Sequence, residues 1–169
     1  MRQSQRHLQG FTLIELMIAI SVAAILIGVG IPGMRNMILD NRRAAVVNEI
    51  VTGISQARAA AFARNLPVVM CVADDAANPG GCDATGNWAD GWFVFVDADG
   101  NNAFDAGEEI LKVTGPASQG IDITSFITAR RFTRNTLGNN DTITVCANNS
   151  SRGIVIDQIG HTRLNSGTC

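Results

Sequence analysis

Gly10-Phe11-Thr12-Leu13-Ile14-Glu15 opens the stretch on which the fold turns, FTLIELMIAISVAAILIGVGIP over residues 11–32. About 20 apolar residues span a bilayer as a helix, and this run has that length. The ten residues before it, MRQSQRHLQG, carry Arg2, Arg6 and His7 and no acid. A basic flank of this kind stays in the cytoplasm, which sends the bulk of the chain across the membrane. A secretory signal cut near Ala23–Ala24, an uncleaved anchor and a buried core helix are the plain alternatives. Glu15 argues against all three. It is the one charge in the run, and a carboxylate at such depth costs roughly 2.5–3.5 kcal/mol on insertion scales. A charge kept there calls for a partner.

The hexapeptide, with its basic leader and following apolar helix, resembles the type III leader of type IV pilins and type II secretion pseudopilins. The resemblance implies cleavage between Gly10 and Phe11 by the prepilin peptidase and methylation of the new N-terminus. It also implies that Glu15, fifth in the mature chain, meets the N-terminal amine of a neighbouring subunit. The partners so implied are the peptidase, the inner membrane, and other pilins or pseudopilins met through the N-terminal helix. Pro32, with Gly28, Gly30 and Gly33 around it, is a weak point in that helix, since Pro removes a backbone hydrogen bond and Gly weakens helix.

Beyond the membrane run, Val47, Ile50, Val51, Ile54, Ala57 and Ala61 recur at helical spacing and predict an apolar stripe facing a sheet. Leu66-Pro67 ends the helix, because the residue before Pro is pushed out of the helical region. Short strands are then expected at Val68–Val72, Trp92–Asp97, Glu109–Val113, Ile121–Phe126, Arg130–Thr133, Thr142–Cys146, Gly153–Asp157 and His161–Leu164. Gly, Asn and Asp turns separate them. The expected organisation is a cleaved leader over 1–10, a helix over 11–64 that is transmembrane over 11–31, and a periplasmic β-rich head over 65–169. The fold class is α+β: a type IV pilin-like long N-terminal helix packed on a small antiparallel β head.

Charge is blocked along the 169 residues. From Asp74 to Glu109 there are nine acids and no Lys or Arg, whereas Ala129–Cys169 holds five Arg against Asp141 and Asp157, a balance of +3. Cys71, Cys82, Cys146 and Cys169 contain no CxxC pair, which disfavours zinc. Behind a membrane-targeting segment they read as two disulfides in an oxidising compartment. Three pairings are open; the sequential one, Cys71–Cys82 with Cys146–Cys169, closes both loops locally and is preferred.

The head narrows the resemblance. Asp90-Gly91-Trp92-Phe93-Val94-Phe95-Val96-Asp97, followed by Asp99-Gly100-Asn101 and Asp105-Ala106-Gly107-Glu108, is similar to minor pilins of the FimT/FimU kind and to GspH-type pseudopilins. What this implies is a structural subunit for assembly, or for the tip, of a type IV pilus. A GspH-type minor pseudopilin of type II secretion and a DNA-binding minor pilin of natural transformation are the alternatives. The place implied is the inner membrane in a single pass, then the pilus or pseudopilus at the cell surface.

Two constellations invite ligands. Asp97, Asp99, Asn101, Asp105 and Glu108 fall at positions 1, 3, 5, 9 and 12 of a calcium loop, although position 6 is Asn102 where that loop has Gly. A solvated hairpin tip rich in turn formers is the plainer reading; calcium is the one candidate cofactor, and none is otherwise expected. Arg130, Arg131, Arg134, Arg152, His161 and Arg163 could gather on one surface facing DNA phosphates. There Gly160-His161-Thr162-Arg163 resembles a GRxR element of DNA-binding FimT-type pilins, with His161 at its first Arg. An enzyme is not expected. His161 is the single histidine after the cleavage site, so no Ser-His-Asp or Cys-His arrangement has a second candidate.

Overall fold

Thr12 starts the helix. Its hydroxyl accepts from the Glu15 amide at 3.3 Å and its carbonyl from Leu16 at 3.2 Å, the bonding of an N-cap. The computed structural model describes residues 11–134 and 140–169, and in it α1 runs from Leu13 to Arg64. The helix therefore begins two residues later than the expected Phe11. It ends where Asn65 adopts a left-handed φ of 53°, with Pro67 following. The chain divides into two compact units, 1–38 and 39–169. In the first, residues 11–28 are all exposed, and an 18-residue window of α1 has a mean hydropathy of 2.5.

Among the described residues, the second unit holds the rest of α1 and eight strands: β1 (Val68–Val72), β2 (Trp92–Val96), β3 (Ile110–Thr114), β4 (Asp122–Ser125), β5 (Ala129–Phe132), β6 (Asp141–Ala147), β7 (Ser150–Ile156) and β8 (Thr162–Thr168). They form two four-stranded antiparallel sheets, ordered β3-β2-β1-β5 and β4-β6-β7-β8. Val47, Ile50, Ile54, Ala57 and Ala61 of α1 are buried and pack with Val68, Met70, Trp92 and Val94 of the first sheet. Ile143, Val145, Ile154 and Ile156 of the second sheet join the same core. Burying each such side chain stabilises the fold by about 1.5–3 kcal/mol, which makes this shared core the main stabilising element.

Every residue of β1 and β2 is buried, on both faces. The face away from the helix is roofed by the chain between β2 and β3. There Phe104 stands edge-on to Phe93 and Phe95 at 5.4 and 5.3 Å, over Val69 and Cys71. Unbroken apolar runs such as VVMCV and WFVFV arise when both sides of a strand are covered.

The last hairpins extend beyond the expected strands. β6 and β7 join through Asn148 and Asn149, both left-handed with φ of 49° and 65°, the two-residue turn that matches strand twist. The turn lets β7 begin at Ser150 where Gly153 was expected. β8 reaches Thr168 where the sequence predicts Leu164. It lacks apolar alternation and is held by its unbroken register with β7.

Candidate functional site

Three places carry the chemistry. At the start of α1, Glu15 is the third helical residue, and Thr12-x-x-Glu15 has the spacing of a capping box, which places a carboxylate where the helix dipole favours one. Sequence reasoning about a missing partner passed over this local role. Phe11 is 85% exposed. Gly10, and with it the expected cleavage bond, lies outside the described residues.

The acidic turn folds on itself. Asp97 is fully buried; its carboxylate accepts from the Gly100 amide at 2.9 Å and the Asn102 amide at 3.2 Å. Glu108 accepts from Ala98 at 2.7 Å and Asp105 at 3.1 Å, so each side of the turn is tied to the other. Asn101 bridges Asp99 and Asp105 at 2.9 and 2.6 Å. Asn102, at position 6, takes the left-handed φ of 66° that a Gly usually supplies. Carboxylate oxygens of Asp97, Asp99 and Glu108 lie within 4.8 Å of one another and could hold a cation. Asp105 is not among these three and is engaged by Asn101. As described, the cluster is a turn closed by its own amides.

The cysteines pair as Cys71–Cys82 and Cys146–Cys169, and among the described residues no cysteine is free. The first loop is further closed by acids. Asp74 accepts from the Gly80 amide at 2.9 Å, which above all holds its carboxyl below the ordinary range; the Asp75 and Gly81 amides add to this. The Thr85 amide and hydroxyl, at 2.7 and 2.8 Å, do the same for Asp83. Bidentate pairing with Arg64 holds Glu109 low and ties the end of α1 to the start of β3.

The arginines do not gather on one surface, which corrects the expectation of a shared DNA face. Arg130, expected to meet phosphates, is only 7% exposed; it pairs with Asp141 and donates to the Asp157 carbonyl at 3.1 Å. Neighbouring strand residues point to opposite faces, so Arg131 turns away from Arg130 and lies 3.9 Å from Asp97. The two charge blocks are therefore partly paired with each other. The Arg134 guanidinium sits 5.0 Å over the Phe62 ring. Arg152 and Arg163 are both exposed. Arg163 faces Val155, three residues from Arg152, so the register puts the two on opposite faces of the sheet. His161 closes the β7–β8 turn, its amide donating to Asp157 at 2.7 Å and its Nδ1 lying 3.5 Å from the same carboxylate. Gly160 has φ 78° and packs on Arg58, where an added Cβ would stand 2.7 Å from Cδ. That contact gives the motif-like glycine a packing role.

Comparison with known proteins agrees with this architecture. Residues 46–160 match the family model described as type II transport protein GspH, and residues 6–31 match the prokaryotic N-terminal methylation motif. The chain is 32% identical over 106 residues to fimbrial protein Q of Moraxella bovis, covering 63% of this chain and 68% of that protein. Its fold is similar to the crystal structure of the type IV minor pilin FimU of Pseudomonas aeruginosa. The TM-score is 0.50 at 17% identity, over 78% of this chain and 90% of the other.

Proposed function

This chain belongs to the GspH family and is a structural subunit of the minor pilin kind, and we propose that it enters a type IV pilus by packing its N-terminal helix into the filament core near the tip. Family and fold are those of structural pilins, not of enzymes. The observation that carries the proposal is the exposure of the α1 residues over 11–28, an apolar surface with Glu15 as its one charge. Such a surface needs lipid before assembly and protein after it. In this reading the prepilin peptidase cuts at Gly10–Phe11, residues 11–31 cross the inner membrane, and the head lies in the periplasm, where its disulfides form. Phe11 would then offer an N-terminal amine, and Glu15 would meet the N-terminal amine of a neighbouring subunit. The likeness to a fimbrial protein supports a pilus over a secretion filament.

The test separates processing from assembly. Glu15→Ala should be cleaved and inserted normally and be depleted from sheared pili, as read by immunoblots of pili beside membrane fractions. Normal incorporation of that variant would overturn the role of Glu15. Uncleaved wild-type chain in cells that hold the peptidase would overturn processing.

A further inference from the structure

β8 adds nothing to the core. Its seven residues are one half-buried side chain followed by six exposed ones. Yet it is firmly held at both ends. At its start, Gly160 donates to the Asp157 carbonyl at 2.9 Å, and the Asp157 side chain accepts from the Ile159 and His161 amides at 3.1 and 2.7 Å. At its end, Cys169 is joined to Cys146 of β6.

β8 is also the last strand of its sheet, and its pairing with β7 runs from Ser150–Thr168 to Ile156–Thr162 without a shift. The Asp157 amide donates to the His161 carbonyl at 2.9 Å, which sets the phase of the ladder. Alternation in an antiparallel pair then turns Arg163, Asn165 and Gly167 towards β7. The amides and carbonyls of Thr162, Leu164 and Ser166 face the open edge. Proteins blunt such edges with Pro, Lys or bulges, and β8 has none of the three.

We propose that β8 is a docking edge for an extended acidic segment of another protein, which adds to the second sheet as a further strand. Charge selects the occupant. Arg163 is the one charged residue of β8, and exposed Arg152 stands behind it on β7, with no carboxylate on either strand. In the fullest antiparallel overlap of two β8 strands Arg163 would face Gly167, which leaves each cation without a counter-charge, whereas an acidic segment supplies one. A carboxylate opposite Arg163 would lie on one face of the sheet. A second, three residues along and opposite Ser166, would lie on the other, within reach of Arg152, which pairs with Ser166. Main-chain bonds supply affinity in such additions and alternate side chains supply selectivity. The inference does not rest on the assembly role of the helix.

The test uses the full chain in detergent micelles and a fluorescein-labelled peptide, Thr-Val-Glu-Thr-Val-Glu-Thr, with a lysine-for-glutamate control. Anisotropy should report binding of the acidic peptide, weaker by about ten-fold for the control and by several-fold for Arg163→Ala. Leu164→Pro and Ser166→Pro each remove an outward amide that β7 does not use, so both should abolish binding. Melting curves and non-reducing mass spectra establish that these variants keep the fold and both disulfides. Hydrogen exchange should slow at Leu164 and Ser166 when the acidic peptide is added to wild type. Absence of binding at millimolar peptide would overturn the proposal, as would equal binding by the folded proline variants. A DNA duplex that bound in an Arg163-dependent manner, unaffected by Ser166→Pro, would assign the edge to polyanions and overturn strand addition.

Discussion

Gly53 and Trp92 meet across the interface between α1 and the first sheet: a Cβ on Gly53 would stand 2.4 Å from Cη2 and 2.7 Å from Cζ3 of the indole. The ring is almost wholly buried and is flanked by Trp88, so it has nowhere to retreat. Gly53→Ala sets two effects against each other. Alanine favours an exposed helix interior by about 1 kcal/mol over glycine, whereas overpacking a core costs typically 1–3 kcal/mol. With Cβ contacts this short the steric term should win, giving net destabilisation of up to about 2 kcal/mol in urea unfolding. A stabilised variant would show that the ring is free to move.

Asp97 is expected to hold the acidic turn without assistance. Replacing it by Ala leaves the Gly100 and Asn102 amides without their acceptor. Hydrogen bonds to a charged group are worth about 1.5–3 kcal/mol each, so stability should fall by that order. The loss should appear in EDTA as well as in calcium when thermal midpoints are compared. A loss confined to calcium would move the carboxylate's role to a bound ion.

The Cys71–Cys82 loop should loosen in acid. Asp74 and Asp83 have folded pKa values below the reference of 3.8 because amides, and for Asp83 the Thr85 hydroxyl, stabilise the charged forms. Groups depressed in this way contribute stability that is present above the unfolded pKa and lost as pH falls through the folded one. Protection of the Gly80 and Thr85 amides, measured against their intrinsic exchange rates, should therefore be full at neutral pH and fall below 3.8, in excess of the change at core amides. Asp74→Asn should weaken the acid dependence at Gly80. An unchanged profile in that variant would remove Asp74 from the account.

The second disulfide should matter most to the last strand. Reduction of Cys146–Cys169, a separation of 23 residues, opens a loop whose closure is worth about 3 kcal/mol in the chain-entropy view. Paired serine substitutions should raise exchange along β8 more than along β1 and β2, since those two strands are buried on both faces. Equal losses throughout would mean that β8 unfolds only with the whole head.

Local chemistry was enough to read the helix, the two-disulfide count and the number of strands. A 22-residue apolar run, a stripe at 3.6-residue spacing and Pro67 are signals carried by neighbours in the chain. The Asn148-Asn149 turn was also legible in principle, as adjacent left-handed formers between strands, and it was passed over. The arginines could not be read that way. Whether Arg130 reaches solvent depends on Asp141 and Asp157, 11 and 27 residues away. Composition counts a charge wherever it stands, whereas burial and pairing are set by strands that meet only in three dimensions. The same holds for Gly160 against Arg58, and for the open edge of β8. Which backbone groups of that strand face outward follows from its register with β7, a property of two strands together.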